Sequence, residues 1–416
     1  MQKKLKKTKK DNSSITRRDM LKGAGAAGAA AVMGPIMLTS RKAFAFQDPI
    51  PTSGDGGTGP VAEPVSCDFG VESPKTRPFI DNLPVPATAT RTTLLPRPTK
   101  AANLPVEAAR APHQRWEEFL PEAEYSLAAR ASTHRFHSDY LPSYIWGFNG
   151  VYPAPTLRNN YGDPVIVRFG NNLPANGTSG GQPELTVHLH NGHTASESDG
   201  FAGDFFGRGL FKDNHYVNAY AGIDTFGTTA GVRGDPREAM HTFWYHDHRA
   251  AFTFNNNFLG LNGMYLLYDR TDPGHENAAA GSLRLPGIYG TTDIPLILSE
   301  KRFCATDPAR GRTEVVIDFG DKWTVNGKIQ PKMSVRRRKY RFRILNTGPA
   351  KNFNLKLVGP NGAQIPWTIV AADANFLHEP WELSNGTLDV FVAMRYDVIV
   401  DFTKLRVGQS CYVSDE

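Results

Sequence analysis

Two short stretches of this 416-residue chain carry the residues best suited to chemistry. "VHLHNGH" (Val187–His193) and "WYHDH" (Trp244–His248) hold five of the twelve histidines. Each contains a His-x-His pair, His188 with His190 and His246 with His248. Chance placement of twelve histidines gives fewer than one such pair, so two pairs in aromatic and β-branched surroundings point to metal binding. Neutral imidazole suits copper, zinc, iron and nickel. The lack of a neighbouring cysteine argues against a structural zinc finger. The plain alternative is a set of hydrogen-bonded core histidines. His193, His215 and His241 are read as structural or supporting groups. Asp199, in "ESDG", has two readings: a carboxylate that orients a ligand or relays protons near metal-bound water, or an Asp-Gly turn.

The elements that must position these groups are strands. "ELTVHLH" and "HTFWYHDH" both read as β. On a strand, residues i and i+2 leave the same face about 6.5–7 Å apart. Two such strands, side by side or facing, would deliver four imidazoles to one small volume. The rest of the chain has the same character. Gly 39, Pro 30 and 11% aromatics, with few helix-period segments, favour an all-β protein rich in turns. Strand-like runs recur from about 113 to 270 and again from about 290, as in "DPVIVRFGN", "DIPLILSEKRF", "KYRFRILNTG" and "RYDVIVDF". Their spacing predicts two β-sandwich domains, 113–270 and 271–416. "TDPGHENAAAGS" reads as the link between them, and 46–112 as an extended N-terminal arm.

Residues 1–45 read as a leader: a basic start, paired arginines in "TRRDMLKG", a short Ala/Gly-rich run, and "AFA" before the cut. The twin arginines point to the twin-arginine route, and so to a periplasmic or secreted protein. The run is too short and glycine-rich to span a membrane. Eleven of the 47 Lys/Arg and two of the 41 acids lie in this leader, leaving 36 bases against 39 acids, a net charge of −3. The basic overall charge therefore belongs to the leader and makes no case for nucleic acid. Cys67, Cys304 and Cys411 form no metal-type cluster and are read as buried or unpaired structural thiols; one disulfide is the alternative outside the cytoplasm, and sequence cannot assign it.

With these residues in hand, the sequence resembles a bacterial multicopper oxidase of the laccase type, near the spore-coat laccases and bilirubin oxidases. "WGFNGVYPAPTLRNNYGDPVIVRFGNNLP" resembles the family's first-domain stretch. "HLHNGHTASESDG" resembles its first histidine motif, with Asn191 where glycine is commoner. "FWYHDHRAAFTFNNNFLGLNGMYLLYD" resembles the second, "AMRYDVIVDF" the end of the second domain, and "PFIDNLPVP" the arm. The likeness covers about 75 to 412. It implies tandem cupredoxin-like Greek-key sandwiches and a copper cofactor. By that likeness His188 would bind a type 2 copper, His190 and His246 one type 3 copper, and His248 the other. Asp199 would match an acidic residue near the oxygen and water route.

The resemblance also sets a limit. The family's third domain supplies a His-Pro-x-His-x-His motif and a His-Cys-His motif. Neither occurs here: after His248 only His275 and His378 remain, and no cysteine is flanked by histidines. The expectation is thus a copper-binding oxidoreductase that couples one-electron oxidation of phenolic, aromatic or metal-ion reductants to reduction of dioxygen to water. The expected chain carries half of the trinuclear site, lacks the type 1 site and the third domain, and is truncated and inactive alone. Two alternatives stand beside it. One is a non-catalytic exported cupredoxin-fold structural or interaction protein. The other is a half-protein that completes its copper site with another chain, as an oligomer.

Overall fold

The computed structural model describes residues 71–92, 112–175, 180–307 and 311–416. The leader, Cys67 and most of the expected arm lie outside these residues. Nearly all regular structure is β, as alternation and turn residues predict. Among the described residues, one seven-residue α-helix, Thr253–Leu259, stands apart.

The strands between 123 and 268 form two four-stranded sheets and a small hairpin of Thr228–Thr229 with Val232–Arg233. One has the order Ser143–Phe148, Ala123–His134, Val165–Asn172, Phe211–Tyr216. The other has the order Leu157–Asn160, Asn262–Tyr268, Thr242–Asp247, Val187–His190. Between them lies a core of Tyr125, Leu127, Trp146, Phe148, Val167, Phe169, Leu189, Phe243 and Tyr245, all nearly solvent-free. The strands from 293 to 415 make a second sandwich. Its larger sheet centres on Asp293–Asp307, Lys339–Asn346, Arg395–Asp401 and Trp367–Ala372. A small sheet of Leu388–Val390, Phe353–Val358 and Tyr412–Asp415 covers it.

One feature of the first sandwich explains the site. Along Thr242–Asp247 every residue is buried. Phe243 and Tyr245 enter the first core, while Trp244 packs with Met264, Leu266 and Tyr268 against Ile297 and Leu345 of the second sandwich. A strand buried on both faces loses the polar alternation of a solvent-facing strand. The face that carries His246 is therefore turned toward the second sandwich.

The contact between the sandwiches is apolar in part and ionic in part. Arg343 donates to Asp293 and to Thr242 Oγ1, and Arg341 to Asp272 and Asp397, with all five charged groups fully buried. Buried charges persist only when paired and hydrogen-bonded. Asp272 belongs to the stretch read as a link, which is therefore not a passive spacer. The described part of the arm runs extended over both sandwiches, bridging at Asn82–Lys332, Thr88–Thr156 and Thr92–Glu124. The thiols divide: Cys304 is disulfide-bonded, and Cys411 is free, as the reading of unpaired thiols expects.

Candidate metal centre

The two histidine strands are neighbours, paired antiparallel with His188 opposite His246 and His190 opposite Trp244. Because side chains alternate along a strand, this register puts His188, His190, Trp244 and His246 on one face. His248 follows directly; its backbone N–H donates to Thr186 O at 2.8 Å. Ring centroids of His188 lie 5.6, 5.5 and 5.3 Å from those of His190, His246 and His248. One ligating nitrogen each from His188, His190 and His246 falls within 4.8 Å of the others. His190 Nδ1 and His246 Nε2 approach to 3.4 Å. His248 is beside this trio but outside its tight nitrogen triangle.

The rings are held by their outer nitrogens. His188 Nδ1 meets the Asp199 carbonyl at 2.6 Å, and His246 Nδ1 the Asp247 carbonyl at 2.8 Å. An imidazole that donates Nδ1–H to a carbonyl presents the lone pair of Nε2, which fixes the tautomer a metal needs. Trp244 stacks on His246 at 4.1 Å and lies 5.3 Å from His190, so neither ring can turn freely. His248 Nδ1 is buried without a hydrogen-bond partner among the described residues. Asn257 Nδ2 donates to the Asp247 carbonyl and lies 3.3 Å from His246 Nδ1.

Burial pushes His190 down to about 4, helped by the nearby Arg395 charge, and it lowers His246 far more. His248 is lowered too, by burial and by His188. These imidazoles are therefore neutral at neutral pH, the form that binds metal. His188 differs. Burial lowers it, but its hydrogen bond to Asp199 and the carboxylate charge prevail and raise it. Asp199 Oδ1 stands 3.4 Å from His188 Nδ1 and accepts from Thr194 Oγ1. Asp199 closes a turn on Ser196–Ser198, and it places a carboxylate beside a site histidine.

The supporting histidines are elsewhere. His215 Nε2 meets the Phe119 carbonyl, and His241 Nδ1 the Leu267 carbonyl. His193 lines a small pocket with Tyr161, Thr194 and Ala219. Sequence reasoning missed Trp244, Asn257 and Arg395. The aromatic two positions before His246 was the one local clue. Nothing local marks an arginine 204 residues from the turn it touches.

The chain is similar to known proteins over both sandwiches. The multicopper oxidase family models match residues 130–205 and 296–413, and the model for a twin-arginine translocation signal sequence matches 14–34. A bilirubin oxidase from Albifimbria verrucaria is 32% identical over 282 residues, which is 67% of this chain and 43% of that protein. A laccase from Bacillus subtilis is 28% identical over 318 residues, 70% of this chain and 57% of that one. The chain thus spans about half the length of the curated relatives it matches. A laccase from Pediococcus acidilactici shares the fold, with TM-score 0.59 at 20% identity over 84% of this chain and 62% of that one. No helix among the described residues is long and apolar enough to cross a membrane, and the signal match supports twin-arginine export to the periplasm or medium.

Proposed function

Since the chain belongs to the multicopper oxidase family, we propose that its paired histidines hold copper and that its chemistry is the oxidation of small reductants at the expense of dioxygen. The observation that carries this is the convergence of three imidazole nitrogens within 4.8 Å on two adjoining strands. The donors fit the metal: neutral imidazoles suit copper, two of them have their Nδ1 tied to carbonyls, and His248 Nδ1 is buried with no partner among the described residues. Bound copper would accept electrons singly and supply them to dioxygen.

The assignment in detail follows the family pattern. His188 would serve a type 2 copper, His190 and His246 one type 3 copper, and His248 the other. The short approach of His190 Nδ1 to His246 Nε2 supports a shared ion for that pair. The chain's own groups do the remaining work. The Asp199 carbonyl orients His188, and the Asp199 carboxylate holds a proton acceptor beside it. Trp244 shields the paired rings from water. Reductants of the phenol, aromatic amine, bilirubin or metal-ion class follow from the relatives. The His-Cys-His motif of a type 1 site does not occur in residues 1–416, so turnover requires ligands from a further segment or chain.

Copper stoichiometry and electron paramagnetic resonance on the exported chain test the reading. Copper bound tightly, and lost in the His188→Ala/His246→Ala double variant, is the expected result. A folded chain that takes up no copper would overturn it.

A further inference from the structure

Arg395 lies in the second sandwich, on the strand Arg395–Asp401, and is 1% exposed. Its guanidinium is spent on four acceptors drawn from three places. Nη1 donates to Asp373 Oδ1 at 3.1 Å and to the Ala393 carbonyl at 3.0 Å, both in its own sandwich. Nε donates to the Thr242 carbonyl at 3.2 Å, at the opening of the second histidine strand. Nη2 donates to Asn191 Oδ1 at 2.6 Å, in the turn directly after His190. Asp373 is held in return, since it accepts from the Arg395 backbone N–H and its own N–H donates to the Arg395 carbonyl.

Asn191 adopts φ +66, a left-handed conformation that Asn tolerates better than most residues. Its side chain is thereby aimed away from the strand and at the arginine. Asn191 is also one of the positions where this sequence departs from the histidine motif it resembles. A planar guanidinium offers rigid, divergent donors, which a lysine ammonium cannot replace.

We propose that Arg395 is a positioning residue for the histidine centre. Anchored by Asp373, it pins the turn at Asn191 against the strand that opens at Thr242, and so sets the approach of His190 to His246. The two histidine strands pair along Val187–His190 only, and His190 is the last residue of its strand. Beyond it the ladder supplies no further hydrogen bonds, and the guanidinium takes over the role. The second sandwich thereby acts on a centre whose paired histidines all come from the first. The copper readout below rests on the copper reading above; the ring readout does not.

The test uses the exported chain with 15N-labelled histidine. Three variants are compared with the parent: Arg395→Ala, Arg395→Lys and Asn191→Gly. Glycine accepts φ +66 without strain, so Asn191→Gly removes the acceptor and keeps the turn, even where Arg395→Ala fails to fold. Two quantities are read: imidazole 15N signals in metal-free protein, and copper(II) affinity with its hyperfine pattern. We expect Asn191→Gly and Arg395→Lys to move the ring signals of His190 and His246. Copper affinity should fall by about ten- to a hundredfold, the usual effect of losing a group that orients a ligand. The double variant Arg395→Lys/Asn191→Gly should add little to either single change. Unchanged ring signals in both single variants, or fully additive effects, would overturn the proposal. Shifted ring signals in a chain that takes up no copper would leave the positioning role standing and overturn the copper reading.

Discussion

His188 and His246 face each other across one rung of an antiparallel ladder, with ring centroids 5.5 Å apart and planes inclined by 75°. That single pairing decides the centre. A slip of one residue would send every side chain of one strand to the opposite face. His188 and His190 would then enter the apolar core now filled by Val187 and Leu189. The surrounding hydrophobic pattern therefore protects the geometry of the polar site.

Gly200 is a test of how closely the site loop is applied to this ladder. It adopts φ +77, and a Cβ there would fall 2.2 Å from the Val187 carbonyl oxygen and 2.6 Å from His188 N. Gly200→Ala must move the Asp199 turn away from the strand. We expect a destabilisation of about 2 kcal/mol or more, from backbone strain together with steric conflict. Copper retention should be impaired as well. Chemical denaturation and copper analysis of the purified variant check both, and a variant with parental stability would contradict the contact.

Asp199 contributes to His188 twice, through its carbonyl and through its carboxylate. Asp199→Asn removes only the second. Burial alone lowers His188, and the charged Asp199 is what lifts it above its ordinary value. The variant should therefore bind copper in parental amount while the metal-free His188 titrates at lower pH. Histidine NMR across pH 4–9 is the measurement. A His188 titration that does not move would show that the carboxylate has no part in it.

The buried ionic contact between the sandwiches should be costly to break. Arg343 reaches Asp293, Asp397 and Thr242 and is fully buried. Arg343→Ala leaves two carboxylates without that partner. Removing one member of a buried charge set typically costs about 3–5 kcal/mol. Urea unfolding of the metal-free chain should show a loss of that order; a loss below about 1 kcal/mol, the scale of an exposed pair, would mean that the network is not closed in solution.

Lys301 offers a test by pH. It is fully buried, its Nζ donates to the Phe258 carbonyl, and it lies over the Phe258 ring at 4.0 Å. Burial pushes its ammonium down to about 7, with Glu300 opposing only in part. The unfolded chain keeps that proton up to the ordinary lysine range near 10.5. Between the two values the unfolded state binds more protons, so Lys301 makes stability rise with pH from about 7 to 10.5 and adds no slope below 7. Lys301→Met should remove this slope, worth at most about 1.4 kcal/mol per pH unit. Unfolding curves at pH 7, 8.5 and 10 for parent and variant decide it; identical slopes would rule the titration out.

Local order accounts for what could be read without coordinates. The His-x-His pairs, the strands that bear them, the all-β class and the exported leader are all properties of short windows. Alternation, turn residues and charge runs act over a few residues, so they are visible in the chain alone. Even the shared face of His188 and His190 follows from the geometry of one strand. What the windows cannot contain is which strand lies next to which, because that depends on how the whole chain buries its apolar surface. The opposition of His188 to His246, the exclusion of His248 from the tight trio, the bonded state of Cys304 and the buried role of Asp272 were decided there. So was Arg395, whose polar type suggests a surface position. Only when two sandwiches close on each other does its guanidinium lose water and find Asn191, 204 residues away. In a desolvated interface each donor must then meet an acceptor.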